Sequence, residues 1–330
     1  MQRKISQLLR VTGTVTAGAA ALAWSAYRRD ITAAKKRIRA ERQIIDTPHG
    51  PIEFAESGDG PAVLIIHGAG GGFDQGLDLG RTFAAGGFRI IAPSRFGYLG
   101  TPLPADASAE AQADAYLRLL DALQLEQVPV IGVSAGGPSA MQFCLRHPER
   151  CASLVLIVAA TYAPNGGIGK REISPFVRRV LNAISASDFL FWTAMKVAHA
   201  TLVQTILGTP LSDYRNATAE QRASVDGVLR NILPISRRAA GLSNDAVVTS
   251  SLERYKLEEI HVPTLVISAA NDLYRTYEGG LYTAEQIHHG QFIGYRTGGH
   301  LLLGHEEEVR AHVTRFLRMP EETERIRSAG

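Results

Sequence analysis

The sequence predicts an α/β fold: a mainly parallel, doubly wound sheet with an inserted helical cap and an N-terminal helix. Three observations carry that expectation. From residue 43 onward, short Val/Ile/Leu-rich runs bounded by Gly and Pro alternate with stretches of helical periodicity, the pattern of a buried sheet with helices on both faces. After residue 160 the alternation stops, and about 100 residues lack a convincing strand, far beyond the usual connection of 2–6 residues. A serine stands between glycines where one apolar run gives way to a helical one.

The chain has 330 residues, enough for one large domain or two moderate ones with a substantial core. With 20% charged and 45% hydrophobic residues it is not a largely disordered chain. Two cysteines exclude a disulfide scaffold and an all-cysteine metal site. The net charge of +3 averages two unlike parts. Residues 1–42 hold ten basic and two acidic side chains, a charge of +8, while the other 288 residues carry −5. The basic excess therefore belongs to the N-terminus, and the body gives no reason to expect nucleic acid.

The first element is an N-terminal helix. Between Arg10 and Arg28 lie 17 uncharged residues, which as a helix reach about 25 Å, the lower limit for crossing a ~30 Å hydrocarbon core. Thr12, Thr14, Thr16, Gly13 and Gly18 dilute the run, and Trp24 and Tyr27 sit near one end, as interfacial aromatics do. Three readings stand: a membrane anchor, a cleaved signal peptide and a plain surface helix. Charge concentrated after the run rather than before it counts against the signal peptide. A spanning helix would place the main body on the cytoplasmic side by the positive-inside rule; otherwise the protein is soluble in the cytoplasm.

Strands follow at 44–47 and 52–55, joined by Pro48-His49-Gly50-Pro51 as a hairpin. Further strands are expected at 62–66, 88–92, 128–132, 154–158, 264–268 and 292–295. Residues 107–125 read as a helix with Ala111, Ala115, Leu117, Leu120 and Leu123 on one face. The strandless interval contains helices at 187–207, capped by Ser187, and at 218–233. The expected division is a basic segment 1–42, a first part of the core 43–160, a cap 161–259 and a second part of the core 260–330.

Gly132-Val133-Ser134-Ala135-Gly136 follows a strand and precedes a helix at 139–147. A nucleophile on so sharp a turn needs glycines two positions to either side, where backbones approach too closely for side chains. The hydroxyl needs a base, and the base an orienting carboxylate. Asp272 lies just beyond the strand at 264–268, and His300 in Gly298-Gly299-His300 beyond the strand at 292–295, where open α/β sheets collect their sites. His305, at the start of the last helix, is the rival base. The loop His67-Gly68-Ala69-Gly70-Gly71-Gly72 after the first parallel strand supplies an oxyanion hole, with the amides of Ala69 and Ala135 as donors. Its glycine spacing fits neither of the phosphate-binding signatures.

Other candidates read as structural. His305-Glu306-Glu307-Glu308-Val309 lacks the second histidine of a zinc helix, and His288-His289 has no partners at ligand spacing. Cys144 and Cys151 read as small core residues. Phe189, Leu190, Phe191 and Trp192 read as helix core that could also wall a substrate.

Together the His67-Gly68 loop, the Ser134 turn, Asp272, His300 and the inserted cap resemble the α/β-hydrolase fold family over residues 43–317. The doubled Gly136-Gly137 and the glycine-rich loop look most like its lid-bearing branch of small carboxylesterases, monoacylglycerol lipases and carbon–carbon hydrolases of aromatic ring-cleavage products. The basic N-terminal segment is also similar to that of some membrane-bound lipases of this fold. The resemblance implies a hydrolase without cofactor or metal, acting on a hydrophobic small molecule through Ser134, His300 and Asp272. Ester cleavage leads; carbon–carbon cleavage and a non-catalytic ligand binder are the alternatives. One departure stands out: many relatives carry an acid at the start of the loop after the next strand, where this chain reads Ser94-Arg95-Phe96-Gly97-Tyr98. Serine at the elbow also sets the chain apart from epoxide hydrolases and haloalkane dehalogenases, which use Asp there.

Overall fold

A computed structural model describes residues 2–48, 50–164 and 183–328. Helix α1 (Gln2–Ala40) leads into the antiparallel hairpin β1 (Gln43–Thr47) and β2 (Gly50–Ser57). Then come β3 (Ala62–Ile66), α2 (Phe73–Ala84), β4 (Arg89–Pro93), α3 (Ala109–Ala122), β5 (Val128–Val133), α4 (Gly137–Arg146) and β6 (Cys151–Ile157). The helical insert contributes α5 (Asp188–Val197), α6 (His199–Thr205), α7 (Leu211–Asn216), α8 (Ala219–Asn231) and α9 (Ala239–Ser250). The chain returns to the sheet with β7 (Thr264–Ala269), α10 (Thr276–Gln286), β8 (Gly290–Tyr295) and α11 (Glu306–Ser328).

The eight strands form one sheet in the order β1-β2-β4-β3-β5-β6-β7-β8, parallel from β4 onward. β3 lies between β4 and β5, so the chain direction switches there, and such a switch opens a crevice beyond the carboxyl ends of the strands. Leu64, Ile65 and Ile66 of β3 pair with Val130, Ile131 and Gly132 of β5, which sets the glycine loop after β3 beside the serine turn after β5. The pairing of β7 with β8 does the same for the loops bearing Asp272 and His300.

Two apolar layers cover the sheet. On one face Tyr116, Leu119 and Leu120 of α3 and Phe143 of α4 meet Leu64, Val130 and Leu154. On the other, Leu77 of α2 and Val313 and Phe316 of α11 meet Ile65, Val155 and Ile267. The buried stripe of α3 is thus centred on Tyr116 and Leu119, and the expected Leu117 and Leu123 sit at its margin. Cys144 and Cys151 are buried as expected and, in addition, joined as a disulfide, a pairing absent from the reading of the sequence.

Among its described residues, the insert differs from expectation in one helix. The single helix expected at 187–207 is broken at Ala198 (φ −132°, ψ 30°), and both halves bury apolar residues in one cluster, Phe191 and Trp192 from the first and Leu202 and Val203 from the second. Its start is as expected, with the Ser187 hydroxyl accepting from the Leu190 amide. Thr218 caps α8 in a reciprocal box with Gln221.

Helix α1 departs most. It runs 39 residues, about 58 Å, yet no helix among the described residues is long and apolar enough to cross a membrane. The spanning anchor expected at 11–27 is therefore not supported, and the positive-inside assignment of a side loses its premise. The second half of α1 instead packs on the insert: Ile31 and Ala34 are buried with Phe191, Trp192, Leu229 and Ile232. Asp30 accepts a hydrogen bond from the Trp192 indole at 3.0 Å.

Candidate active site

Ser134 sits on the turn between β5 and α4 with φ +50°. A non-glycine residue held there is strained, and such strain gathers where the surroundings over-determine the turn. The flanking glycines show what does so. A Cβ on Gly132 would lie 2.6 Å from Ala140 Cβ, and one on Gly136 would lie 2.6 Å from the Ile66 carbonyl oxygen. The turn presses against α4 on one side and the end of β3 on the other.

Ser134 Oγ donates to His300 Nε2 at 2.8 Å, and His300 Nδ1 donates to Asp272 Oδ2 at 2.8 Å. His305, the rival, lies away from the serine, stacked on Tyr295 at 4.1 Å and 3.7 Å from Glu308. The buried Asp272 carboxylate also accepts from the Tyr274 amide at 2.8 Å and from the Thr276 hydroxyl. Burial alone would raise its pKa; the electrostatic pull of the His300 ring and these hydrogen bonds outweigh it and hold the pKa below the usual carboxylate range. Thr276 in turn meets Ser268 Oγ at 2.8 Å. Its spacing four residues after Asp272 is the only trace of this role in the sequence.

The insert reaches into this arrangement. The Gly208 carbonyl accepts from the amides of both Leu273 (3.0 Å) and His300 (3.3 Å). Tyr274 packs edge-on against the His300 ring at 4.8 Å and donates its hydroxyl to the carbonyls of Thr205 and Ile206.

Ala69 and Ala135 both border the cavity beside Ser134. The loop bearing Ala69 is heavily braced. Gln75 Oε1 accepts from the Gly68 amide at 2.8 Å and the Tyr98 hydroxyl from the Gly70 amide at 3.3 Å. His67 Nε2 accepts from the Arg95 amide at 2.9 Å, so the ring proton sits on Nδ1 and is donated to the Gly68 carbonyl at 2.7 Å. Complete burial and the neighbouring Arg95 push the His67 pKa well down and keep it neutral. Two buried ion pairs then tie the loop to the insert. Arg95 pairs with both oxygens of Asp245 on α9 at 2.6 and 2.7 Å, and Tyr98 also donates to Asp245. Arg238, wholly buried, pairs with Asp74 and donates to the Gly71 carbonyl.

The departure at Ser94 also resolves. Its hydroxyl donates to Glu53 Oε2 at 3.0 Å and accepts from the Phe73 amide at 3.1 Å. Glu53, from β2, also accepts from the Gly100 amide at 2.8 Å. A carboxylate from the neighbouring strand thus lies under the loop that lacks its own acid.

Beside the serine lies a cavity of about 540 Å³. Ile157, Ile206, Leu207, Val228, Leu242 and Leu301 supply apolar wall. Asp78 and Asp245 supply carboxylates, and no Lys or Arg lines it among the described residues.

A switched parallel sheet, a strained serine turn at its crevice and a serine–histidine–aspartate chain define a hydrolase. The chain belongs to the alpha/beta hydrolase fold family, whose profile matches residues 61–306. It is 26% identical over 269 residues to the uncharacterized hydrolase YcgS of Bacillus subtilis (strain 168), covering 78% of this chain and 87% of that one. It is 28% identical over 244 residues to a 2-hydroxy-6-oxo-6-phenylhexa-2,4-dienoate hydrolase of Comamonas testosteroni, covering 70% and 78%. Among solved structures, an alpha/beta hydrolase fold protein from Nakamurella multipartita matches with TM-score 0.68 and 26% identity over 84% of this chain and 99% of that one. An esterase from Exiguobacterium antarcticum shares the fold, with TM-score 0.64 and 19% identity over 84% and 99%.

Proposed function

We propose that this protein is a serine hydrolase cleaving carboxylic esters of hydrophobic, uncharged small molecules. The observation that carries the proposal is His300 bridging Ser134 and Asp272 at 2.8 Å on each side. Ser134 attacks the ester carbonyl while His300 takes its proton and then returns it to the leaving alcohol. Asp272 fixes the imidazole tautomer and stabilises the imidazolium. The Ala69 and Ala135 amides receive the oxyanion, a role worth about 3–4 kcal/mol per donor. Water then resolves the acyl-enzyme by the same proton path reversed.

The wall chemistry favours an ester over a ring-cleavage dienoate. A dienoate brings a carboxylate, which Asp78 would repel, Asp245 being neutralised by Arg95, whereas an uncharged acyl group fits the apolar lining. Contact of residues 1–42 with a membrane enters the proposal as surface association only.

The test is a panel of p-nitrophenyl esters against a ring-cleavage dienoate, with a fluorophosphonate probe and mass detection of the acyl-enzyme. Ester turnover and labelling of Ser134, both lost in Ser134→Ala, are expected. Preferential dienoate cleavage would move the assignment to carbon–carbon hydrolysis, and an unlabelled Ser134 without turnover would make the protein a ligand binder.

A further inference from the structure

A second cavity, of about 390 Å³, opens where the C-terminal half of α1 meets β2, the turn at Leu99 and Gly100, and the insert at Ser236 and Arg237. Four cations border it: Lys35, Arg39, Arg42 and Arg237. The one acid in its wall is Glu53, which is 1% exposed and already accepts from Ser94 and the Gly100 amide. Only Arg42 reaches Glu53, at 3.5 Å. Lys35, Arg39 and Arg237 have no carboxylate within ion-pair distance among the described residues.

Part of this charge has a structural reason. Arg39 lies in the last turn of α1, where a cation offsets the helix dipole. That accounts for roughly half a charge, and Glu53 for one more. Asp188 stands behind the wall, accepting from the Ser236 amide and hydroxyl at 2.9 and 3.0 Å, so about +1.5 to +2.5 remains around one small cavity, with Lys35 on α1 and Arg237 on the insert facing it from different elements. Lys35, Arg39 and Arg237 are exposed, so water screens their mutual repulsion, but an anion entering the cavity is drawn to all of them at once. A phosphomonoester carries about −1.5 to −2 at neutral pH with three acceptor oxygens, and guanidinium forks match such oxygens in pairs.

We infer that this cavity is a phosphoryl-binding site, formed by Lys35, Arg39 and Arg237 where α1 meets the insert, for a phosphate ester held free or on an anionic lipid headgroup. The site is separate from the Ser134 cavity and does not depend on hydrolase activity. It also gives the +8 of the N-terminal segment a definite point of action.

The test uses full-length protein in two arms. In the first, calorimetry at low salt titrates inorganic phosphate and glycerol 1-phosphate. In the second, cosedimentation compares vesicles of phosphatidylcholine alone with vesicles containing phosphatidate. Binding in either arm is expected to weaken at least tenfold in Arg237→Gln and in Arg39→Gln. Lys36→Gln, which removes the same charge from α1 outside the cavity, should weaken it less than threefold. Binding in the first arm identifies a free phosphate ester as sufficient; binding in the second alone identifies the lipid headgroup. Absence of binding in both arms would overturn the inference. So would an equal loss in Lys36→Gln, which would indicate diffuse attraction rather than a site. Thermal midpoints within 2 °C of the parent, about the effect of a mild surface change, establish that each exposed variant is folded.

Discussion

Arg37 of helix α1 places Nη2 3.3 Å from Asp74 Oδ2, the carboxylate that the buried Arg238 also grips at 2.7 Å. Asp74 opens α2 directly after the glycine loop, and the same Arg37 nitrogen donates to the carbonyls of Asn231 and Leu233 at 2.8 Å each. A helix whose sequence suggests an anchor is therefore joined, through one shared carboxylate, to the base of the glycine loop after β3.

Arg37→Ala should cost about 1–2 kcal/mol, reduced from the full value of charge-assisted bonds by its one-third exposure. A midpoint lowered by a few °C in thermal unfolding is the measurement. Deleting residues 1–42 should do more, because it also bares the insert surface covered by Ile31 and Ala34. The truncated chain is expected to aggregate in size-exclusion chromatography; a monodisperse, equally stable body would show that α1 is dispensable.

Asp74 gives a pH signature. Burial alone would raise its pKa, but Arg238 and Arg37 hold it below the ordinary carboxylate value. A carboxylate depressed in the folded state stabilises above its unfolded pKa and loses that contribution as pH falls through the folded one. Asp74→Asn, which leaves Arg238 buried without its counterion, should cost about 3–5 kcal/mol at pH 7. Denaturant titrations should show the gap between the two proteins closing only below about pH 4.

The two histidines should separate cleanly. His300→Gln is expected to lower kcat on a p-nitrophenyl ester by about 10⁴-fold or more, whereas His305→Gln should stay within threefold of the parent. Equal losses would mean that the resting geometry misidentifies the base.

Thr276→Val removes a hydroxyl that steadies the Asp272 carboxylate without touching substrate. A drop of about tenfold in kcat, equivalent to 1.4 kcal/mol, is expected with KM nearly unchanged. Thr276→Ser should restore most of it. A change confined to KM would argue against this supporting role.

Asp78 tests the charge of the substrate wall. It lines the cavity and accepts from Asn231 at 2.8 Å, and burial raises its pKa. Asp78→Asn should raise kcat/KM for a monoester of a dicarboxylic acid relative to an uncharged ester of equal length. No change in that ratio would free the wall from a role in charge selection.

Much of the site could be read from the sequence because its geometry is set locally. Glycines two positions from Ser134 are required by contacts within the turn and its own sheet, and loops after adjacent parallel strands meet as a matter of topology. What escaped depends on contacts between distant segments. Glu53 stands in for an acid missing at Ser94, 41 residues away, and nothing in either local pattern links them. The packing of α1 leaves a fainter trace: Ile31, Ala34 and Ile38 recur at helical spacing, but outside the uncharged run that drew attention to the segment. The break at Ala198 has no Gly or Pro to announce it.

The Gly208 carbonyl holds the amides of Leu273 and His300 together, so one peptide group of the insert secures the loops of both His300 and Asp272. An insert that swung outward with Gly208 would have to break both of these bonds. The Gly208 peptide is thus a latch shared by two loops, and outward movement of the insert carries a cost at both of them.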